Sequence, residues 1–594
     1  MRTRDTIICL VSIFFAAVLF FAAGSQLGSI NQQRKNLGLM IDRPEDLPPS
    51  LAFATVATGA FRGLVVDILW MRAEKLKEQR QFFDAKQLAD WITVLQRRFT
   101  PVWEFQSWNM AYNISVTIPA SEPEERYRWV KNGYELLRDK GIVYNPKSIA
   151  LYRQLALIFQ HKIGGFTDDA HNFYKLRLAL DMEPLLGAAD FQYFKDLAVA
   201  PTDWRQVASD PNFTPIIAAL QDADPNFPRG KEFIENYLTF RENRSRFSRR
   251  AVETLERFSG TEALKKFDIF VNAWQLRNVW KLQPDIMEQI NLLYGPVDWN
   301  DPNNRLPLDW RHPDSHAIYW AYVGLKIAGK ETFSPDEANT DRIVNHSLQN
   351  LFRQGKIFIY SASVPSDENS PQQAPQQVKA IYLRPDLRMF IPYDKSVLAV
   401  IQKYKDLGEE SYISMQDGHR NLLKSAVLSF YQAGHRDQAL RIFYDLRSQY
   451  PRDEFNVALD TFAQNLFQEQ LKEIGLTNAS MMIQMILVEA YFRYSMHDDD
   501  EAFAKERIAS QAYDYYHQKF DEARVALPAF KHLKYLSFLD FWFDPQYPPV
   551  LKENLKNRIE IERPDLYKEL LNLEEELMKQ QEQMKKQGTS ASSL

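Results

Sequence analysis

Apolar and polar positions follow two regimes along this chain. Thr6 to Ala23 reads TIICLVSIFFAAVLFFAA, a stretch that no charge interrupts. As a helix it is about 27 Å long, close to the ~30 Å hydrocarbon core of a bilayer. Beyond residue 51 the apolar residues recur every three or four positions, the period of a helix with one buried face. Tyr152, Leu155, Ala156 and Phe159 share such a face, with Asn145-Pro146 as the stop before it. The pattern predicts helices from Leu51 to about Gly187, Lys231 to Leu293, Asp314 to Gly355 and Lys395 to about Phe541.

Three passages break the period. Ala200–Gly230 carries Asp-Pro-Asn-Phe twice, at Asp210–Phe213 and Asp224–Phe227, and reads as turns and caps. Gly295–Pro313 reads as a loop with two Asp-Trp pairs, Asp298-Trp299 and Asp309-Trp310. In Lys356–Tyr393 the runs Ile357–Tyr360 and Val378–Leu383 are strand-like and flank a loop rich in Pro, Ser and Gln. Leu566–Lys586 reads as an exposed charged helix, and Gly588–Leu594 as a disordered tail.

The expected organisation is a membrane anchor (1–30), a linker (31–50), a helical-repeat domain (51–200) and a helical domain with Pro/Trp-rich loops (201–355). A β-hairpin/loop insertion (356–394), a second helical-repeat domain (395–548), and a charged helix with its tail (549–594) complete the chain. Arg2 and Arg4 precede the first apolar stretch, as in a signal peptide or signal anchor, and Ala22-Ala23-Gly24 offers a cleavage site. The stretch is longer than an ordinary signal core, which favours retention as a single-pass anchor in the bilayer through residues 6–23. The short amino-terminal tail stays in the cytoplasm in this reading, placing the body on the periplasmic face of a bacterial inner membrane. A second apolar stretch, Leu51–Met71, contains Arg62 and Asp67 and is read as a helix buried in the body rather than a second span.

Composition narrows the classes. The 594 residues carry 72 Lys+Arg against 77 Asp+Glu, a net charge of -5, so no basic field favours nucleic acid. Apolar residues at 45% and charged residues at 25% are globular proportions. Only 21 glycines leave few tight hairpins, in keeping with helices. The single cysteine, Cys9, excludes a disulfide framework and cysteine-ligated zinc.

Leu423, Ala426, Val427, Phe430, Gly434, Ala439, Phe443 and Pro451 stand in the order and spacing of a tetratricopeptide repeat. Tyr152-x2-Leu155-Ala156-x2-Phe159, followed by Ala170-x3-Tyr174 and Pro184, resembles the same unit less completely. Trp320-x2-Val323-Gly324-x2-Ile327 resembles its first helix, and Leu76, Ala89 and Pro101 give a fragment. About a quarter of the chain is covered, without a sustained period. The chain therefore resembles a divergent tetratricopeptide-repeat-like protein, and Trp103–Asn113 and Asp309–Gly324 resemble uncharacterised, membrane-anchored bacterial envelope proteins. The resemblance implies an all-α fold: one transmembrane helix, then an irregular α-solenoid with a small β/loop insertion.

Chemistry is harder to find. Gly324–Glu331 (GLKIAGKE) is a near-miss phosphate loop, with Glu331 where Ser or Thr must hold magnesium and a helix where a strand is needed. His312 and His316 flank Pro313-Asp314-Ser315; Pro313 suits a first helical turn, which makes His312 the cap and turns the two rings apart. Asp498–Glu501 lacks the spacing of a calcium loop and suits a helix start. No catalytic, cofactor or metal residues are expected. Trp299, Trp310 and His316 remain as candidates for partner binding. The expected function is a membrane-anchored scaffold binding a protein partner, with self-association through the carboxy-terminal helix. The alternative is an envelope polysaccharide- or peptidoglycan-binding module using the Trp-rich loop; an enzyme with an unrecognised site comes third.

Overall fold

A computed structural model describes residues 62–187, 189–327, 334–364, 376–471, 476–519, 527–544 and 547–575, with scattered positions before residue 62. The stretch 6–23 thus lies largely outside the described residues. Among the described residues no helix is long and apolar enough to cross a membrane. The chain forms two compact units that divide between Arg97 and Arg98, inside the segment 51–200.

The first unit shows two packed helices, α1 (Arg62–Glu78) and α2 (Phe82–Leu95). Of the stretch Leu51–Met71, expected as a buried helix, residues 51–61 lie outside the described residues; in the rest Val66 is enclosed, as is Ala73 beyond it, but Leu64, Ile68 and Met71 are exposed. The buried and exposed residues lie on opposite sides of α1, so among the described residues it is covered on one side only.

The second unit is all-α apart from one hairpin, among the described residues. It begins with α3 (Thr100–Trp108), α4 (Pro123–Leu136), α5 (Ile149–Leu157), α6 (His171–Leu186) and α7 (Phe191–Val199). Next come α8 (Trp204–Ser209), α9 (Thr214–Ala223), α10 (Lys231–Glu242), α11 (Arg249–Phe258), α12 (Glu262–Gln275) and α13 (Pro284–Tyr294). Helices α14 (Pro313–Ile327) and α15 (Pro335–Gln354) lead into β1 (Lys356–Val364) and β2 (Gln376–Arg384). The strands pair antiparallel, Lys356 opposite Arg384 and Val364 opposite Gln376. Then follow α16 (Phe390–Asp406), α17 (Ser411–Gln432), α18 (Arg436–Gln449), α19 (Leu459–Leu471) and α20 (Leu476–Ser495). Helices α21 (Asp499–Lys519), α22 (Phe530–Phe543) and α23 (Pro549–Glu562) and a helix at 564–575 complete the unit.

The passage Ala200–Gly230 is more helical than its prolines suggested, since α8 and α9 lie within it. Both Asp-Pro-Asn-Phe copies do make turns: Asp210 accepts from the Asn212 amide at 2.8 Å and Asp224 from the Asn226 amide at 2.9 Å. Each turn delivers its phenylalanine, Phe213 or Phe227, into the core shared by α8–α12. The repeated tetrapeptide is an aspartate-closed turn with an apolar anchor.

The architecture is helical-repeat-like. In α17–α18, Gly434 adopts φ +88°, a left-handed turn that glycine takes without strain, and Ala439 and Phe443 are buried between the helices. The other signature stretches pair differently. Helix α5 lies chiefly against α14 and α15, not against α6. At the crossing, a Cβ on Gly324 would fall 2.8 Å from the Tyr152 Cβ. Gly324 and Tyr152, each placed by the sequence in the first helix of a separate repeat, therefore face each other. The 564–575 helix is also not simply exposed: Leu566, Leu570 and Leu573, one face at helical spacing, are buried with Tyr491, Phe492 and Ile559.

Substituting Gly324→Ala inserts a methyl group at the closest point of the α5–α14 crossing. The expected cost is about 1–3 kcal/mol, as for other overpacked cores. Thermal melts of the full chain should show a lowered midpoint, whereas Gly418→Ala, inside α17 with open space around its Cβ position, should leave it unchanged or raised.

Candidate functional site

The nominated residues do not share a surface. Trp310 is only 1% exposed, and its indole N–H donates to Asn291 Oδ1 at 3.0 Å, an atom that also accepts from the Leu308 amide at 3.1 Å. His316 is fully buried, its Nε2 2.9 Å from the Trp310 carbonyl and its ring stacked on Phe159 with centroids 5.0 Å apart. Trp299 is half-buried, edge-on to Phe430 and against His435. Trp310 and His316 thus belong to one interior cluster, and Trp299 packs elsewhere, on the α17–α18 hairpin. The loop folds inward because Asp309 ties it down: its carboxylate receives Arg311 at 2.9 and 2.7 Å, and its carbonyl accepts from the Ser315 hydroxyl at 2.7 Å.

That interior cluster surrounds the start of α14, where Pro313 to Ala321 are buried without a break. His312 Nδ1 accepts from the Asp314 amide at 3.1 Å, which leaves Nε2–H to donate to the Gln354 carbonyl, also at 3.1 Å. Burial holds both imidazoles down to about 4, so they are neutral at physiological pH. The 3.5 Å approach of His312 to Asp314 is therefore no ion pair. Burial pushes the Asp314 carboxyl up to about 7, against the opposing effects of Asn350 and Ser347.

Four helices around this region carry π-helical turns: Asn109–Ile114, Leu137–Gly141, Ile158–Ile163 and Leu276–Trp280. Such insertions re-aim side chains and recur at functional sites. Here they deliver Phe159 and Trp280 onto His316. After the third turn, residues 164–170 loop over Lys175. Its ammonium donates to the Gly165 carbonyl at 2.6 Å, lies 2.8 Å from His171 Nδ1, and sits 5.3 Å above the Phe166 ring. Burial lowers Lys175 to about 8, the Asp314 charge working the other way. Burial alone would raise Asp168, but Lys162 and the Ala170 amide hold it below the usual carboxylate range, with Arg126 at 3.3 Å. Both lysines are buried, so this cluster pins a loop onto the core.

None of Arg126, Lys162, Asp168, Lys175 or Asp314 was nominated as a site, because their partners come from distant segments and no local spacing marks them. The acidic run 498–501 likewise does more than start α21. Asp498 and Glu501 lie 3.5 and 3.4 Å from the buried Arg493, and Asp499 receives Arg558 at 2.9 Å. Gly324 lies inside α14, a helix where a phosphate loop needs a strand before it; residues 328–331 of that stretch lie outside the described residues. Among the described residues no group of three or more His, Cys, Asp or Glu is placed to hold a metal ion.

The surface offers a different kind of site. A cleft of about 210 Å³ opens between α17, α19 and α21. Gln464 and Gln468 line it from α19, Gln511 and Gln518 from α21, with Tyr431 and Tyr515 beside them. At one end Asp460 is engaged by the Tyr431 hydroxyl at 2.7 Å and by Arg436 at 2.6 and 2.7 Å. Each primary amide is both donor and acceptor. Among the described residues the four glutamines make no side-chain hydrogen bond.

The buried acid sets a pH signature. An unfolded aspartate ionises near about 4, whereas folded Asp314 keeps its proton to about 7. The folded state therefore binds the extra proton in that window and loses stability as pH rises through it. His312 and His316 act oppositely, costing stability as pH falls from about 6.5 towards 4. Asp314→Asn removes only the first effect. Its melting temperature relative to the parent should climb between about pH 4 and about pH 7; a difference that stays constant would refute the assignment.

No protein-family model matches this chain, nor does any curated protein.

Proposed function

We propose that this chain is a membrane-anchored, tetratricopeptide-like scaffold of the cell envelope that holds a protein partner in the cleft between α17, α19 and α21. The carrying observation is the set of four glutamines on two helices facing one cleft, whose amides make no side-chain hydrogen bond among the described residues. A polypeptide backbone offers an N–H and a carbonyl at each residue, and planar amides match both at once. The flanking tyrosines add apolar contact with a polar tip, a combination favoured in protein recognition. The turn at Gly434 and the notch at Ala439 support a repeat-like hairpin as the wall of this cleft. The anchor rests on the charge-free stretch Thr6–Ala23, with the body on the periplasmic side.

The polysaccharide alternative needs tryptophan faces open to solvent. Trp310 is enclosed and Trp299 packs against Phe430 and His435, so this reading has the weaker support.

A photo-reactive residue at Gln511 in the full-length protein tests the cleft in cells. The expected result is one discrete protein adduct, absent when the probe sits at Glu253, which is exposed on α11, and lost when Gln464 and Gln468 are both changed to Ala. Equal labelling at Gln511 and Glu253 would remove the cleft as the docking site. The anchor is tested separately by deleting residues 1–30 and fractionating: the shortened chain should leave the membrane fraction, and its retention there would show that residues 6–23 are not the only anchor.

A further inference from the structure

The outer face of a helical stack is polar unless another surface covers it. Among the described residues, α22 and the 564–575 helix together present an apolar one. Phe538 and Trp542 stack on α22 with centroids 5.9 Å apart, Phe543 beyond them is 72% exposed, and Leu571 is exposed on the 564–575 helix. Between these helices and α23 lies a largely apolar pocket of about 270 Å³. Its floor is firm, because Ile559 and Leu570 belong to the core that also holds Tyr491 and Phe492. Two charges of opposite sign line the same pocket, Lys556 and Glu574. Among the described residues neither has an ion-pair partner.

An apolar patch carrying one unpaired cation and one unpaired anion is complementary to itself. About a two-fold axis the same patch serves both partners, and each residue of one sign meets its opposite across the contact. We propose that this face joins two copies of the chain end to end, the aromatic ridge of Phe538, Trp542 and Phe543 packing on its counterpart and Lys556 of each copy opposite Glu574 of the other. A foreign apolar helix or a lipid chain would cover the ridge equally well but would leave at least one of the two charges without a match. The proposal does not draw on the glutamine cleft, which lies on other helices, so either can fail without the other.

Charge exchange in the detergent-solubilised full-length protein, followed by sedimentation and light scattering, gives the test. The parent should form a reversible dimer. Lys556→Glu and Glu574→Lys each place like charges opposite one another twice, and each should weaken the dimer by about tenfold or more. Mixing the two variants restores both pairings in a heterodimer, and the double variant Lys556→Glu/Glu574→Lys restores them in a homodimer; both should return to near the parental affinity. These residues sit at the pocket margin, so unchanged circular dichroism controls for folding. A parent that is monomeric throughout overturns the proposal. So does a dimer indifferent to the single substitutions, or one that the mixture and the double variant fail to rescue.

Discussion

The enclosure of α14 is the constraint on which most of the second unit depends. A helix buried on every side for nine consecutive positions, Pro313 to Ala321, cannot leave polar groups to water. Its carboxylate, its two flanking histidines and its first turn draw their partners from α15 and from the preceding loop. Asn350 donates to Asp314 and the Gln354 carbonyl accepts from His312, both from α15, and the Trp310 carbonyl meets His316 Nε2. Among the described residues Asp314 Oδ2 and His316 Nδ1 stay without a hydrogen-bond partner. The absence of a side chain at Gly324 lets α5 approach α14 closely and cover that side of it.

The same constraint explains why the ionisable groups here depart from their ordinary behaviour. Neutral imidazoles, an amine with lowered basicity and a carboxyl that resists ionisation are what burial produces when too few counter-charges are available. Perturbed groups often mark catalytic sites, but structural clusters show them as well. Here each member closes part of the fold: Lys175 and Asp168 hold the 164–170 loop, and His312 closes the first turn of α14.

Legibility from sequence followed the range of the interactions. The α17–α18 hairpin was readable because its determinants, Gly434 at the turn, Ala439 in the notch and Pro451 after the second helix, lie within thirty residues of one another. The β1–β2 hairpin and the Gly295–Pro313 loop were readable for the same reason. Tyr152 and Gly324 carried the right residue types but the wrong inference, since a small residue in a helix reports a close approach without naming the neighbour. Trp310 looked available because it stood in a loop, yet Asn291 draws it inward. The four glutamines gave no signal at all: polar residues on a helix are ordinary until another helix places them across a cleft.

The distribution of satisfied and unsatisfied polar groups separates structure from function in this molecule. In the interior, ion pairs and histidine bonds join segments far apart in sequence and hold helices at fixed distances, although Asp314 Oδ2, His316 Nδ1 and Asn291 Nδ2 are buried there without a hydrogen-bond partner among the described residues. Rigidity gained in this way has a use only if some other surface is left with unused bonding capacity and a fixed shape. The cleft between α17, α19 and α21 fits that proposal, its four glutamine amides unbonded among the described residues and its helices locked into a shared core around Ile483 and Tyr516. In the proposed role, amides held in place before a partner arrives would need little further ordering on binding.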